Sequence, residues 1–241
     1  MNVESLLARL FPGGHEVRVD GDFIDGNATV GGGPDAATIA VTGTAHGAAI
    51  GVELAHAMAG SVLRTVSGHP GRPLLLLVDT QGQRLRRRDE LLGINAYMAH
   101  LAKCVDIARR RGHRVVSLVY GRAVSGGYIA SGMMADRCYA LEDAELSVMN
   151  LPAMSRVTKI PLQRLEELAQ TSPVFAPGAG NYVAMGALDA LWSGDLQAAL
   201  AAALAAGDDL GHDGRRERGA ARGGRLAALA VARQVRHGGL A

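Results

Sequence analysis

The chain has 241 residues, 48% hydrophobic, 20% charged and 4% aromatic, with a net charge of only +2. That is the composition of a globular chain long enough for one large core, and it gives no general reason to expect nucleic acid or a membrane as partner. With 32 glycines and few aromatics, the core has to be built from Ala, Leu, Val and Met with close backbone contacts.

The N-terminal stretch "MNVESLLARLFPGGHEV" has no basic-then-apolar signal pattern, and no apolar run reaches about 18 residues. Two cysteines, Cys104 and Cys138, make neither a disulfide framework nor a metal spacing. A soluble, cytoplasmic protein in a reducing compartment is expected.

In chain order, residues 1–35 read as an N-terminal extension. Two short apolar runs, Thr38 to Thr42 and Ala48 to Glu53, predict neighbouring strands, and a helix from Leu54 to Val66 stops at Gly68 and Pro70. "PLLLLVDT" predicts a strand buried on both faces that ends at Asp79. After the polar loop "QGQRLRRRD", Leu91, Ile94, Met98, Leu101, Val105 and Ala108 recur at helical spacing up to Gly112.

"RVVSLVYG" is the next strand, and the small residues from Gly127 to Ala135 predict a helix. Strands around Cys138 to Leu141 and Leu146 to Met149 follow. Strand and helix in alternation argue a layered α/β core over 36–150. Past Asn150 the chain turns helical, 151–241, with "PLQRLEELAQTS", "LQAALAAALAA" and "RLAALAVARQVRH" as helices. The Gly-rich, charged stretch from Gly207 to Gly224 is expected to be mobile. Positive charge gathers there and at "RLRRR", Arg84 to Arg88; such runs could meet phosphate or an acidic partner, or be solvated faces.

Ligands of layered α/β sheets bind beyond the carboxyl ends of strands. The loops "DTQG" and "GRAVSGG" are of that kind. A helix whose first turn is Gly126-Gly127 offers bare N–H groups to an oxyanion, and one such donor is worth on the order of 3 kcal/mol in a transition state. The plainer alternative is that Gly126, Gly127 and Gly132 only let a helix pack closely. A third makes Ser125 a nucleophile with His46 as base and Asp79 or Asp136 as orienter, although Ala123 stands where a G-x-S-x-G elbow needs glycine. His46, His56 and His69 form no zinc pattern, and no metal is expected.

"VDTQG", the helix after it, and "YGRAVSGGYIASGMMADRCYALEDAELSVM" together resemble the alpha-type half of acyl-CoA carboxyltransferases, in the crotonase-like superfamily. The similarity runs from about Thr38 to Asn150. With "NLPAMSRVTKIPLQRLEELAQTSPVFAPGAGNYVAMGALDALW", most of the chain resembles the gamma subunits of biotin-independent malonate decarboxylases.

The resemblance implies a single crotonase-like α/β domain of spiral type and an active site shared with a beta-type carboxyltransferase subunit. The substrate would be a malonyl thioester on an acyl carrier protein, carried by a phosphopantetheine arm of the dephospho-CoA type. It is decarboxylated to the acetyl thioester, with no cofactor bound covalently to this chain.

By the same carry-over Gly127, with Gly126 and Gly82, forms this chain's oxyanion hole. The beta-type partner holds the thioester, and this hole holds the departing carboxylate or a water. Where the biotin enzymes have Gly-Arg-Ala-Arg, this chain has "GTAHG", so Thr44 and His46 replace an arginine as substrate contacts. Ser125 and Tyr128 are further contacts by position. Rival expectations are an alpha-type subunit of a biotin-dependent carboxylase, a non-catalytic scaffold, and a serine hydrolase.

Overall fold

The computed structural model describes residues 1–32, 36–149, 151–171, 178–206, 212–224 and 226–238. It opens with helix α1 (Val3–Leu10), whose first turn is capped by the Asn2 side chain accepting from Ser5 N–H, and with strands β1 (Arg18–Asp20) and β2 (Phe23–Val30). Next come β3 (Ala37–Thr44), β4 (Ala48–Ile50), α2 (Val52–Gly68), β5 (Leu74–Gln83), α3 (Arg87–Leu91) and α4 (Ile94–Arg110). Then follow β6 (Val115–Val124), α5 (Ser125–Ile129), β7 (Arg137–Leu141), β8 (Glu145–Ser147), α6 (Leu151–Thr158), α7 (Leu162–Thr171) and α8 (Ala179–Ala184). β9 (Ala190–Trp192), α9 (Leu196–Ala205), α10 (Arg215–Ala221) and α11 (Leu226–His237) close the chain.

The sheet runs β1-β2-β3-β5-β6-β7-β9, antiparallel among the first three strands and parallel from β3 onward. Its two central strands each serve two neighbours. Leu74 to Leu77 of β5 pair with β3, while Thr80 to Gln83 pair with β4; Val116 to Val119 of β6 pair with β7, while Arg122 to Val124 pair with β8. Between the halves the β5–β6 register shifts, from Val78 opposite Val119 to Thr80 opposite Ala123. This change of partner carries β5 and β6 out of the main sheet into a second, shorter layer. The layered α/β architecture expected from the alternation is therefore present, in spiral form.

The first halves of β5 and β6 are wholly buried, as expected of strands covered on both faces, and α2 and α4 pack on each other above the sheet. Gly43 is required here because a β-carbon would collide with the Leu77 carbonyl of β5. Burial holds Cys104 and Cys138 as thiols, raising the first and pushing the second up to about 11. Since the thiolate is the reactive form, a thiol reagent at neutral pH is expected to label the native protein negligibly and both cysteines in denaturant. Rapid labelling of the native chain would contradict this burial.

Several boundaries differ from those the sequence predicts. β3 and β4 are not neighbours, because β5 is long enough to pair with each in turn, and Glu53 belongs to α2. β5 does not end at Asp79 nor β6 at Gly121; both run on, with the Thr80 hydroxyl donating to the Ala48 carbonyl at 2.6 Å. Leu91 is not on the buried face of α4. Gly93, in the left-handed region at φ 75°, separates α3 from α4 and leaves Leu91 77% exposed.

The helix expected over Gly127 to Ala135 is only the five residues of α5 and a 3-10 turn at Gly132–Met134, where Tyr128 and Val78 leave no room for a β-carbon on Gly132. β9, paired with β7, interrupts the helical C-terminal region. Residues 212–224 are ordered: Arg222 donates to the carbonyls of Val183 and Leu188 at 2.8 Å, and Gly219 and Gly224 lie against the Met185 and Ala184 backbone. The rest of the stretch expected to be mobile, 207–211, lies outside the described residues.

Candidate functional site

Asp79 sits where β5 changes partner, and its carboxylate accepts from Gly47 N–H at 2.8 Å and Arg122 N–H at 2.9 Å. It thus ties the turn before β4 to the outgoing half of β6. Gly121 has no side chain because that carboxylate occupies the space. Asp136 does not accept from a histidine either: it accepts from Arg109 at 2.7 Å and from Val115 N–H at 2.9 Å. A His46 ring nitrogen lies 3.1 Å from the Gly21 carbonyl. The relay of Ser125, His46 and an aspartate is therefore not assembled, since both carboxylates are committed to backbone and arginine donors.

Four of the expected residues meet at the end of β6. Ser125 begins α5 at φ 53°, a strained conformation for a residue with a side chain, and it is exposed, as is Gly126. Gly127 is buried against Gly82 of β5, where a β-carbon would lie 2.8 Å from the Gly82 α-carbon and 3.3 Å from Ile50 Cδ1. Gly82 itself needs glycine, at φ 101° and with the Val124 carbonyl 3.0 Å from any β-carbon. Gly126 is different. Among the described residues a β-carbon there would meet nothing within 4 Å, and its φ is not positive.

Tyr128, expected as a substrate contact, is turned inward: only 2% exposed, its hydroxyl lacks a hydrogen-bond partner among the described residues, and burial raises its pKa. Thr44 is also buried. Its hydroxyl accepts from Asp79 N–H at 3.1 Å and its carbonyl from the Tyr120 hydroxyl at 3.0 Å, so it joins strands rather than facing a ligand. His46 is exposed and lines another place, an open cleft of about 300 Å³ with Gly47, Asp79, Tyr120, Arg122 and Glu145. Burial, with Asp79 beside it, raises the pKa of the Tyr120 hydroxyl in that cleft.

Sequence reasoning missed Asp89, which is 1% exposed and accepts from Val52 N–H at 3.0 Å, capping α2 across space. Nothing in the spacing of Asp89 marks it, because the cap comes from another element. It also missed Arg215 and Arg222 of the C-terminal segment; Arg215 donates to the Met133 carbonyl at 2.6 Å just beyond α5. Among the described residues no group of three or more His, Cys, Asp or Glu could hold a metal ion, and no helix is long and apolar enough to cross a membrane.

Parallel strands that spiral into a second layer, with a short glycine-opened helix at the end of β6, define a crotonase-like carboxyltransferase fold. Transcarboxylase 12S shares it, at 21% identity with a TM-score of 0.70 over 84% of this chain and 41% of that one. The model of the malonate decarboxylase gamma subunit family matches residues 45–239, and the chain belongs to that family. A chain of a Pseudomonas malonate decarboxylase hetero-tetramer, solved in complex with coenzyme A, is similar at 26% identity with a TM-score of 0.78, over 98% of both chains. Malonyl-S-ACP:biotin-protein carboxyltransferase of Malonomonas rubra is 37% identical over 155 residues, 59% of this chain; the match spans about half, 52%, of that curated relative.

Proposed function

We propose that this chain is the gamma-type subunit of a biotin-independent malonate decarboxylase. With a beta-type partner it converts a malonyl thioester on an acyl carrier protein to the acetyl thioester and CO2. The thioester rides on a phosphopantetheine arm derived from dephospho-CoA, and this chain binds no cofactor covalently. The observation that carries the reading is Gly126. Neither conformation nor packing among the described residues calls for glycine there, although glycine in a helix costs roughly 0.5–1 kcal/mol relative to alanine. The missing side chain leaves space among the described residues beside the first-turn N–H groups of α5, which have no partner within the helix.

Decarboxylation breaks the bond between the carboxylate carbon and the α-carbon, and the electron pair moves into the thioester carbonyl. Donors placed on the departing carboxylate would stabilise the state that loses charge there and raise the barrier. They help only where negative charge grows. With the partner's hole on the thioester oxygen, the donors of this chain serve the water that protonates the α-carbon and becomes hydroxide. Gly127 and Gly82 set the height of α5, and Ser125 flanks the opening.

The partner fits the surface beside this opening. Ile129, Val148, Met149, Val157 and Leu162 are exposed, and no residue of α6 is buried among the described residues. Large, apolar faces of this kind are typical of obligate interfaces.

A second reading, carboxyl transfer from the malonyl thioester to a biotin group whose urea oxygen occupies the same hole, is favoured by the name of the Malonomonas rubra relative. CO2 release by this chain co-purified with its beta-type partner, assayed with and without avidin, separates the two. Turnover indifferent to avidin is expected; turnover abolished by avidin establishes the biotin reading, and none under either condition sinks both.

A further inference from the structure

The segment that leaves β5 two residues after Gly82 builds a surface the decarboxylation itself does not use. Leu85 is 87% exposed, Leu91 77% and Leu92 48%, and among them stand Arg86 and Arg87, both exposed and without an ion pair among the described residues. Arg88 is already committed to Glu53, whose carboxyl it holds below the ordinary range, and Arg84 lies 3.9 Å from the same carboxylate.

This knob is nonetheless firmly built. Asp89 is anchored on the α2 N-terminus, Arg84 N–H donates to the Ile50 carbonyl at 2.9 Å, and Gln83 bonds Glu90 at 3.1 Å. Apolar side chains held out to solvent next to unneutralised cations suit an acidic protein surface. The knob differs from the face around α6 in its build: two neighbouring cations, Arg86 and Arg87, stand directly between exposed leucines, whereas around α6 the apolar side chains Ile129, Val148, Met149, Val157 and Leu162 predominate, with Arg156 and Lys159 among them.

We propose that Leu85, Arg86, Arg87 and Leu91 form the docking surface for the acidic carrier protein that delivers the malonyl thioester. This rests on the decarboxylase reading. β5 places the surface beside the opening at Gly126, because Gly82, packed on Gly127, lies three residues before Leu85. A carrier seated there directs its arm toward α5, and its carboxylates and arm phosphate meet Arg86 and Arg87.

The test uses the complete complex with the double charge reversal Arg86→Glu/Arg87→Glu and, separately, Leu85→Ala. Turnover is measured on malonyl-carrier and on malonyl-pantetheine, which has neither carrier nor phosphate. For the double variant, KM for malonyl-carrier is expected to rise about tenfold or more and to lose its dependence on salt, with kcat and malonyl-pantetheine turnover unchanged. Leu85→Ala is expected to raise the same KM less, without altering the salt dependence.

Equal losses on both substrates, or none on either, overturn the proposal. So does failure of the variant to co-purify with the beta-type partner, which would make this face part of that interface. Carrier binding is read in parallel by fluorescence anisotropy. If no complex decarboxylates anything, the decarboxylase reading falls by itself, and docking then stands or falls on whether the double variant loses carrier binding.

Discussion

Gly126→Val is expected to abolish CO2 release from a malonyl thioester while leaving the chain as stable as before. Among the described residues the new side chain has open space around it, with nothing inside 4 Å of its β-carbon, and the backbone there is one any residue adopts. Stability should hold or rise slightly, since a side chain in a helical turn removes glycine's entropy cost. Catalysis should fall by on the order of a hundredfold or more, the effect of losing one oxyanion donor, because the valine stands over the N–H groups. Gly126→Ala should show the same split on a smaller scale. The measurements are turnover of the co-purified complex, its assembly by size exclusion, and the melting temperature. Full turnover in an intact complex would make this chain a scaffold; a complex that no longer assembles would assign the space to the partner rather than the reacting group.

The residues that make the architecture legible in the sequence are those whose burial is total. "LLLLV" and "RVVSLVY" read as strands because both faces of β5 and β6 are covered, so no alternation is needed. Their second halves were not legible. Thr80 to Gln83 and Arg122 to Val124 are polar or small, and they are strands only because β4 and β8 arrive beside them from elsewhere in the chain. The Ser125-Gly126-Gly127 triplet was legible as a place, but not in its division of labour. Which glycine faces Gly82 and which faces outward depends on how α5 lies over β5, and a run of two glycines carries no trace of it. Thr44 and Tyr128 looked available for a ligand for the same reason: one hydroxyl is turned to Asp79 N–H and the other into the core. The C-terminal arginines read as a charge run that could meet phosphate, an acidic partner or solvent, whereas Arg215 and Arg222 bond to carbonyls around α5 and α8 that sequence alone cannot place.

Gly127→Val is expected to act in the opposite sense, through the fold. Its β-carbon would come within 2.8 Å of the Gly82 α-carbon and 3.0 Å of the Gly82 carbonyl carbon, and two further methyl groups would have to fit near Ile50 Cδ1. The atoms in the way are backbone of β5, which is pinned between β4 and β6, so they cannot turn aside as a side chain would. Overpacking of a well-filled core typically costs about 1–3 kcal/mol, and a collision with fixed backbone belongs at or above the top of that range. A fall in the urea midpoint and a loss of co-purifying partner are the expected results, with Gly127→Ala intermediate. Turnover lost in this variant therefore says nothing about an oxyanion hole. An unchanged midpoint with lost turnover would mean that α5 has room above β5 after all, and would move the open position of the hole from Gly126 to Gly127. Paired with the Gly126 variant, the measurement separates the glycine that lets the helix sit low from the glycine that lets something else come close.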